Sequence, residues 1–133
     1  MTEPEPGRLH LRLDAEPESV GRARTAVAEL ATSLGIREPR LADAKTIVSE
    51  ACSNVIRHAY PEEAGSFELE AFSEKDELKI VVRDFGVGMR PRISESSTLQ
   101  LGLGLISMLS SHFEICGPSG GGTEVRIAMA LGA

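Results

Sequence analysis

The sequence predicts an α+β domain, a two-layer sandwich in which a mainly antiparallel sheet carries helices on one face. Three observations lead there. Two stretches repeat apolar residues at helical spacing, five short runs alternate or cluster like strands, and glycine- or proline-rich breaks separate them. At 133 residues the chain has the size of one domain, and it shows neither an internal repeat nor a boundary. Residues 8–133 are therefore expected to form a single unit behind a frayed tail at 1–7.

Taken in order, Leu9, Leu11 and Leu13 alternate with His10 and Arg12, the period of a half-buried strand. Pro17 suits the first turn of a helix. Val20, Ala23, Val27, Leu30 and Leu34 then follow at steps of three and four, and Gly35 closes the run. A second helix is predicted from near Pro39, with Leu41, Ala44, Val48, Ala51, Val55 and Ala59 on its apolar face and Pro61 as its stop. Phe67 to Phe72 and Leu78 to Val82 read as a hairpin around the polar turn Ser73-Glu-Lys-Asp-Glu77. Residues 84–100 lose all periodicity and read as a long functional loop. Gly102 and Gly104 lead into a short apolar helix predicted over Leu105 to Ser111. A last strand pair, Phe113 to Cys116 and Thr123 to Met129, closes around a glycine-rich turn.

Composition removes several functions. Fourteen Lys and Arg stand against twenty Asp and Glu, a net charge of −6. That balance argues against a broad grip on a nucleic-acid backbone, which needs clustered positive charge. No apolar run is long enough to span a bilayer, and the acidic, proline-rich start does not read as a signal peptide. Cys52 and Cys116 form no Cys-x-x-Cys pair, so a reduced, cytoplasmic chain is expected.

Three clusters could carry chemistry. Glu50-Ala-Cys-Ser-Asn54, continued by Arg57-His58, puts Glu50 and Asn54 on one face of the second helix, off its apolar stripe. Such a flank lines a cleft or simply faces water. Asp84-Phe-Gly86-Val-Gly88-Met89 sets a carboxylate at a strand end beside backbone that can approach a ligand closely, and it equally fits a plain turn. Leu101-Gly102-Leu103-Gly104-Leu105 exposes amides ahead of a helix, which suits an anion or serves as a hinge. Neither the P-loop nor the Gly-x-Gly-x-x-Gly spacing is present.

In sequence, these clusters and the Gly122-Thr123 step before the last strand resemble the Bergerat-type ATP-binding fold. That fold is shared by gyrase, Hsp90, the histidine kinases and MutL. The resemblance runs from about Leu9 to Ala130. Glu-Ala-Cys-Ser-Asn-Val-Ile-Arg-His-Ala-Tyr is most similar to the bacterial anti-sigma-factor serine/threonine-protein kinases. The resemblance implies an ATP-binding anti-sigma factor that sequesters a sigma factor and phosphorylates a Ser or Thr of an anti-anti-sigma protein. ATP and Mg²⁺ are the implied cofactors, and a homodimer through the first strand and first helix is implied as well.

By matching position, Asp84 would accept the exocyclic amine of adenine, and Thr123 would support the base. The Asn54 amide oxygen would bind Mg²⁺. Gly86, Gly88 and Met89 would border the nucleotide, and Leu101, Gly102, Leu103, Gly104 and Leu105 would hold phosphates. Arg57 would add positive charge, with His58 bordering the phosphates or packing. Glu50 would orient and deprotonate the attacking hydroxyl, a modest demand, since phosphoryl transfer depends mostly on positioning and charge neutralisation. One departure stands out. Ser97-Thr-Leu-Gln-Leu101, just before the glycines, holds no basic residue, and Arg90 and Arg92 lie earlier in the loop. A nucleotide-binding module without phosphotransfer is therefore the alternative. A detached histidine-kinase domain fits less well, because no helical hairpin with a phosphoacceptor His precedes the fold and His10 sits in a predicted strand.

Overall fold

A computed structural model describes residues 7–58, 65–85, 103–117 and 122–131. Its elements run β1 (Arg8–Asp14), α1 (Pro17–Ser33), α2 (Arg40–His58), β2 (Ser66–Glu74), β3 (Glu77–Asp84), α3 (Leu103–Leu109), β4 (His112–Cys116) and β5 (Thr123–Ala130). The five strands form one sheet in the order β1-β2-β3-β5-β4, antiparallel at every pairing. This is the α+β sandwich expected from the sequence.

Local chemistry sets the helix ends. Pro17 opens α1, where a missing N–H costs nothing. Gly35, at φ +92°, ends it: the Gly35 N–H donates to the Thr32 carbonyl and the Ile36 N–H to the Ala31 carbonyl, the paired bonds of a Schellman cap. At the start of α2 the Glu38 carboxylate accepts the Ala42 N–H at 2.8 Å. The β2–β3 hairpin is tighter than predicted. Both strands extend inward and leave Lys75 and Asp76 as a two-residue turn, each with positive φ, which matches the strands' twist. The short helix is shifted from the predicted Leu105 to Ser111. It begins at Leu103, so Gly104 lies inside its first turn, and it stops at Leu109. The sheet ends it: Ser111 donates its backbone N–H to the Ala128 carbonyl and its hydroxyl to Glu77.

The core lies between the helices and the sheet face they cover. Ala44, Ile47, Val48, Ala51, Cys52 and Val55 of α2 are buried, a wider stripe than the predicted one, while Leu41 is only half-buried. Ala59 and Pro61 lie outside the described residues. α2 packs on α1, β3 and α3, and Ile106 anchors α3 with no exposed surface. Along β1 only Leu13 is buried, because β1 is an edge strand. Among the described residues no helix is long and apolar enough to cross a membrane.

The opposite face of the sheet carries charge in register. Arg12, Glu68, Arg83 and Glu124 stand on neighbouring strands in one row. Arg83 reaches Glu124 at 2.7 Å, Glu68 at 2.9 Å and Glu70 at 3.4 Å. Arg126 joins Glu124 and, at 3.1 Å, Glu114. Partial burial by itself pushes the Glu124 carboxyl up, but the hydrogen bonds from Arg83 and Arg126 outweigh it and hold the group below the usual carboxylate range. The folded chain thus binds fewer protons here than the unfolded chain. The stabilisation is complete above the ordinary value of about 4.3 and is lost as pH falls through the lowered folded value. Arg83→Ala is expected to lower stability by about 1–3 kcal/mol at neutral pH, since it leaves three carboxylates without their shared cation. In urea titrations the gap to the unsubstituted protein should narrow toward pH 3, and a pH-independent gap would count against this origin.

Candidate functional site

The last row of the sheet's inner face turns from apolar to polar across the strands. Leu13, Phe67, Asp84 and Thr123 face one another across β1, β2, β3 and β5, and all four are at most 3% exposed. Asp84 has the same strand parity as Leu78, Ile80 and Val82, and Thr123 the same as Val125, Ile127 and Met129. Strand alternation therefore carries both polar residues to the helix-covered side, one step beyond the apolar core. A carboxylate at this depth is an acceptor presented in low-dielectric surroundings, suited to a neutral N–H donor or a cation.

Gly122 makes this juxtaposition sterically allowed. Its φ is +86°, and a Cβ at this position would run into the Asp84 carbonyl oxygen and lie 3.4 Å from the Phe85 Cα. Only glycine lets β5 begin this close to the end of β3. Sequence reading singled out Thr123 and gave Gly122 no role of its own. The signal was the glycine immediately before the strand, but three glycines in a row obscure which one is needed.

A second group stands on α2. Glu50 is half-buried, Asn54 is fully buried and Arg57 is exposed. Arg57 Nη2 donates to Asn54 Oδ1 at 3.3 Å, while the buried Asn54 Nδ2 has no hydrogen-bond partner among the described residues. An unpaired buried amide N–H is costly and marks a place where a ligand acceptor would be welcome. Cys52, between Glu50 and Asn54 in sequence, belongs to the core, and burial pushes its thiol up to about 12. It is a packing residue.

The remaining sequence-predicted residues divide plainly. Leu103 and Gly104 form the first turn of α3, and Leu105 is 46% exposed. His58 is the last residue of α2. Gly86, Gly88, Met89, Leu101 and Gly102 lie outside the described residues, as do Arg90, Arg92 and the stretch 97–101. Phe85, half exposed beneath the Arg12 guanidinium at 5.5 Å, was not singled out from the sequence. A groove of about 480 Å³ between α1 and α2, bordered by Arg24, Glu29, Leu41 and Lys45, contains none of these residues.

Comparison with known proteins identifies the family and the fold. The histidine kinase-like ATPase domain family matches residues 13–129, and the chain belongs to that family. Curated relatives include the serine-protein kinase RsbW of Bacillus mycoides (strain KBAB4) and that of Bacillus cereus (strain Q1). Each is 32% identical over 80 residues, covering 60% of this chain and 50% of the relative. The chain thus spans about half the length of the curated relatives it matches. A solved structure of the RsbU and RsbW domains of a Mycobacterium tuberculosis protein shares the fold. Its TM-score is 0.72 at 23% identity, over 92% of this chain and 32% of that one.

The glycine argument can be checked directly. Gly122→Ala should cost about 1–3 kcal/mol in urea unfolding, through its positive φ and the Asp84 contact. Gly117→Ala, whose Cβ would meet nothing within 4 Å, should stay within about 0.5 kcal/mol. Equal stabilities for the two variants would remove the steric role given to Gly122.

Proposed function

We propose that this chain is an ATP-binding anti-sigma factor with protein serine/threonine kinase activity, residues 8–133 forming its working domain. Its substrate would be a Ser or Thr of an anti-anti-sigma protein, and its other partner a sigma factor. The observation that carries the reading is the Asp84–Thr123 pair, a buried carboxylate and hydroxyl side by side at the end of an apolar sheet face. Membership of the histidine kinase-like ATPase family and relatives named as serine-protein kinases support it.

The residues present fit an adenine nucleotide. A carboxylate accepts the exocyclic amine of adenine and repels the carbonyl oxygen that guanine holds at the same place. Such a charged hydrogen bond contributes roughly 1.5–3 kcal/mol, enough to choose the base. Thr123 supports the base with its hydroxyl, through water. On α2, the Asn54 amide supplies an oxygen for Mg²⁺ and, in its unpaired Nδ2, a donor for a phosphate oxygen. Arg57 would add positive charge. The family resemblance implies that His58 borders the phosphates or packs, that Gly86, Gly88 and Met89 border the nucleotide, and that Leu101, Gly102, Leu103, Gly104 and Leu105 hold its phosphates.

When bound, ATP supplies the transferable γ-phosphoryl group. Glu50, one helical turn before Asn54, would aim the substrate hydroxyl and take its proton as the oxygen bonds to the γ-phosphorus and the bond from that phosphorus to the β–γ bridging oxygen breaks, releasing ADP. The uncharged stretch Ser97-Thr-Leu-Gln-Leu101 favours a second reading, a regulator that binds the nucleotide without transferring phosphate. Labelled phosphate separates the two.

Calorimetry should find Mg-ATP binding in the micromolar range, and Asp84→Asn should weaken it by about tenfold or more. No binding by the folded, unsubstituted chain would end the nucleotide reading. With γ-labelled ATP and a purified anti-anti-sigma protein, Glu50→Ala should bind the nucleotide normally and fail to transfer label. Loss of binding in that variant would make Glu50 structural, and absent transfer by the unsubstituted protein would leave the binding-only regulator.

A further inference from the structure

We infer that Arg57 and a divalent cation compete for the same oxygen, so that Arg57 masks the Asn54 amide until a metal-bound nucleotide displaces it. The inference rests on the nucleotide-binding reading above and adds a regulated step to it.

The geometry begins on α2. Arg57 follows Asn54 by three residues, so the two side chains are neighbours on the helix surface. Arg57 is exposed while Asn54 has no exposed surface, and the bond from Arg57 Nη2 to Asn54 Oδ1 spans that difference at 3.3 Å. A guanidinium is always protonated and can only donate. Its approach therefore fixes the sense of the amide: the oxygen is turned to Arg57, and Nδ2 is the group without a partner among the described residues.

A hard divalent cation takes oxygen ligands at about 2.0–2.1 Å when it is Mg²⁺. Holding the cation and the guanidinium on one amide oxygen would bring three positive charges within about 4–5 Å, strongly repulsive in a partly desolvated site. One of them must leave. Arg57 sits on the exposed end of the helix and can move into solvent, whereas Asn54 is fixed by packing. Without nucleotide, Arg57 thus holds the buried amide in one orientation; with Mg²⁺-nucleotide, releasing Arg57 subtracts from the gain that the metal provides.

The consequence is a coupling with a definite sign. The ratio of ATP affinity in saturating MgCl₂ to ATP affinity in EDTA measures what the metal adds. In Arg57→Gln, where no cation has to be displaced, that ratio should rise by about tenfold, the effect of one charge-assisted hydrogen bond. Arg57→Lys, which keeps a cationic donor, should bring the ratio back toward that of the unsubstituted protein. A uniform loss of affinity with an unchanged ratio would make Arg57 a plain phosphate contact and overturn the masking. A second measurement needs no nucleotide: in the free protein, Arg57→Gln should shift the NMR resonances of the Asn54 side-chain amide. If they stay in place, the masking bond is absent in solution and the inference falls, whatever the ATP titration shows. If they shift while the unsubstituted chain binds no ATP, the nucleotide reading fails and the mask has nothing to yield to.

Discussion

The register between β3 and β5 is the constraint on which the rest of the site depends. In the observed pairing Asp84 faces Thr123, and Arg83 faces Glu124. Side chains alternate faces with a period of two, so a slip of one residue would drive Arg83 into the core and turn Asp84 to solvent. Both consequences oppose the slip. The inner face gains its energy from Ile80, Val82, Val125 and Ile127, all essentially fully buried. The outer face gains from a guanidinium held by three carboxylates. The polar pair at the sheet's end is thus positioned by residues that belong to no site. Gly122 supplies the last requirement, room for β5 to start against the Asp84 carbonyl.

α2 places its polar residues by a different route. Its apolar stripe is two residues wide, because it must cover both the sheet and its helical neighbours, and that width draws Asn54 fully out of water. A buried amide with an unpaired N–H destabilises the folded state. The helix tolerates it because Ile47, Val48, Ala51 and Val55 bury far more apolar surface than one amide forfeits. Arg57 offsets part of the cost by giving the amide oxygen a partner. One helix therefore serves as the central beam of the core and as the carrier of Glu50, Asn54 and Arg57.

Much of this was legible in the sequence, for identifiable reasons. The two long helices declared themselves through apolar spacing that tertiary packing had no cause to override, and Gly35 marked the first helix end by the same conformational logic it obeys in the structure. The sheet's strands were legible from alternation. Boundaries were harder where long-range partners decide them. Ser111 is captured by the Ala128 carbonyl and Glu77, a contact between residues far apart in sequence, so the short helix stops earlier than its apolar run suggests. The Lys75-Asp76 turn carried no glycine to announce its positive φ. The depth of Asn54 was also hidden, because a helical wheel shows one apolar stripe and does not show that α3 packs against the same helix. The charge ladder escaped for a similar reason: Glu68, Arg83 and Glu124 look like solvated strand positions until register sets them side by side.

The two halves of the candidate site differ in how they resist change, and that difference bears on function. Asp84 is held by strand pairing on both sides, and Thr123 by its pairing with Asp84 and by a glycine whose place no larger residue could take, so their spacing is set by the sheet itself. Preorganised groups of this kind discriminate well, because a wrong base leaves a buried carboxylate facing an acceptor with no freedom to adjust. Asn54 and Arg57 form the other half: a buried amide whose oxygen accepts a hydrogen bond from an exposed guanidinium. On the nucleotide reading proposed above, a rigid reader of the base joined to an exchangeable holder of the metal would let identity and charge state be tested by different residues. It would also give the buried polar groups a use that offsets what their burial costs.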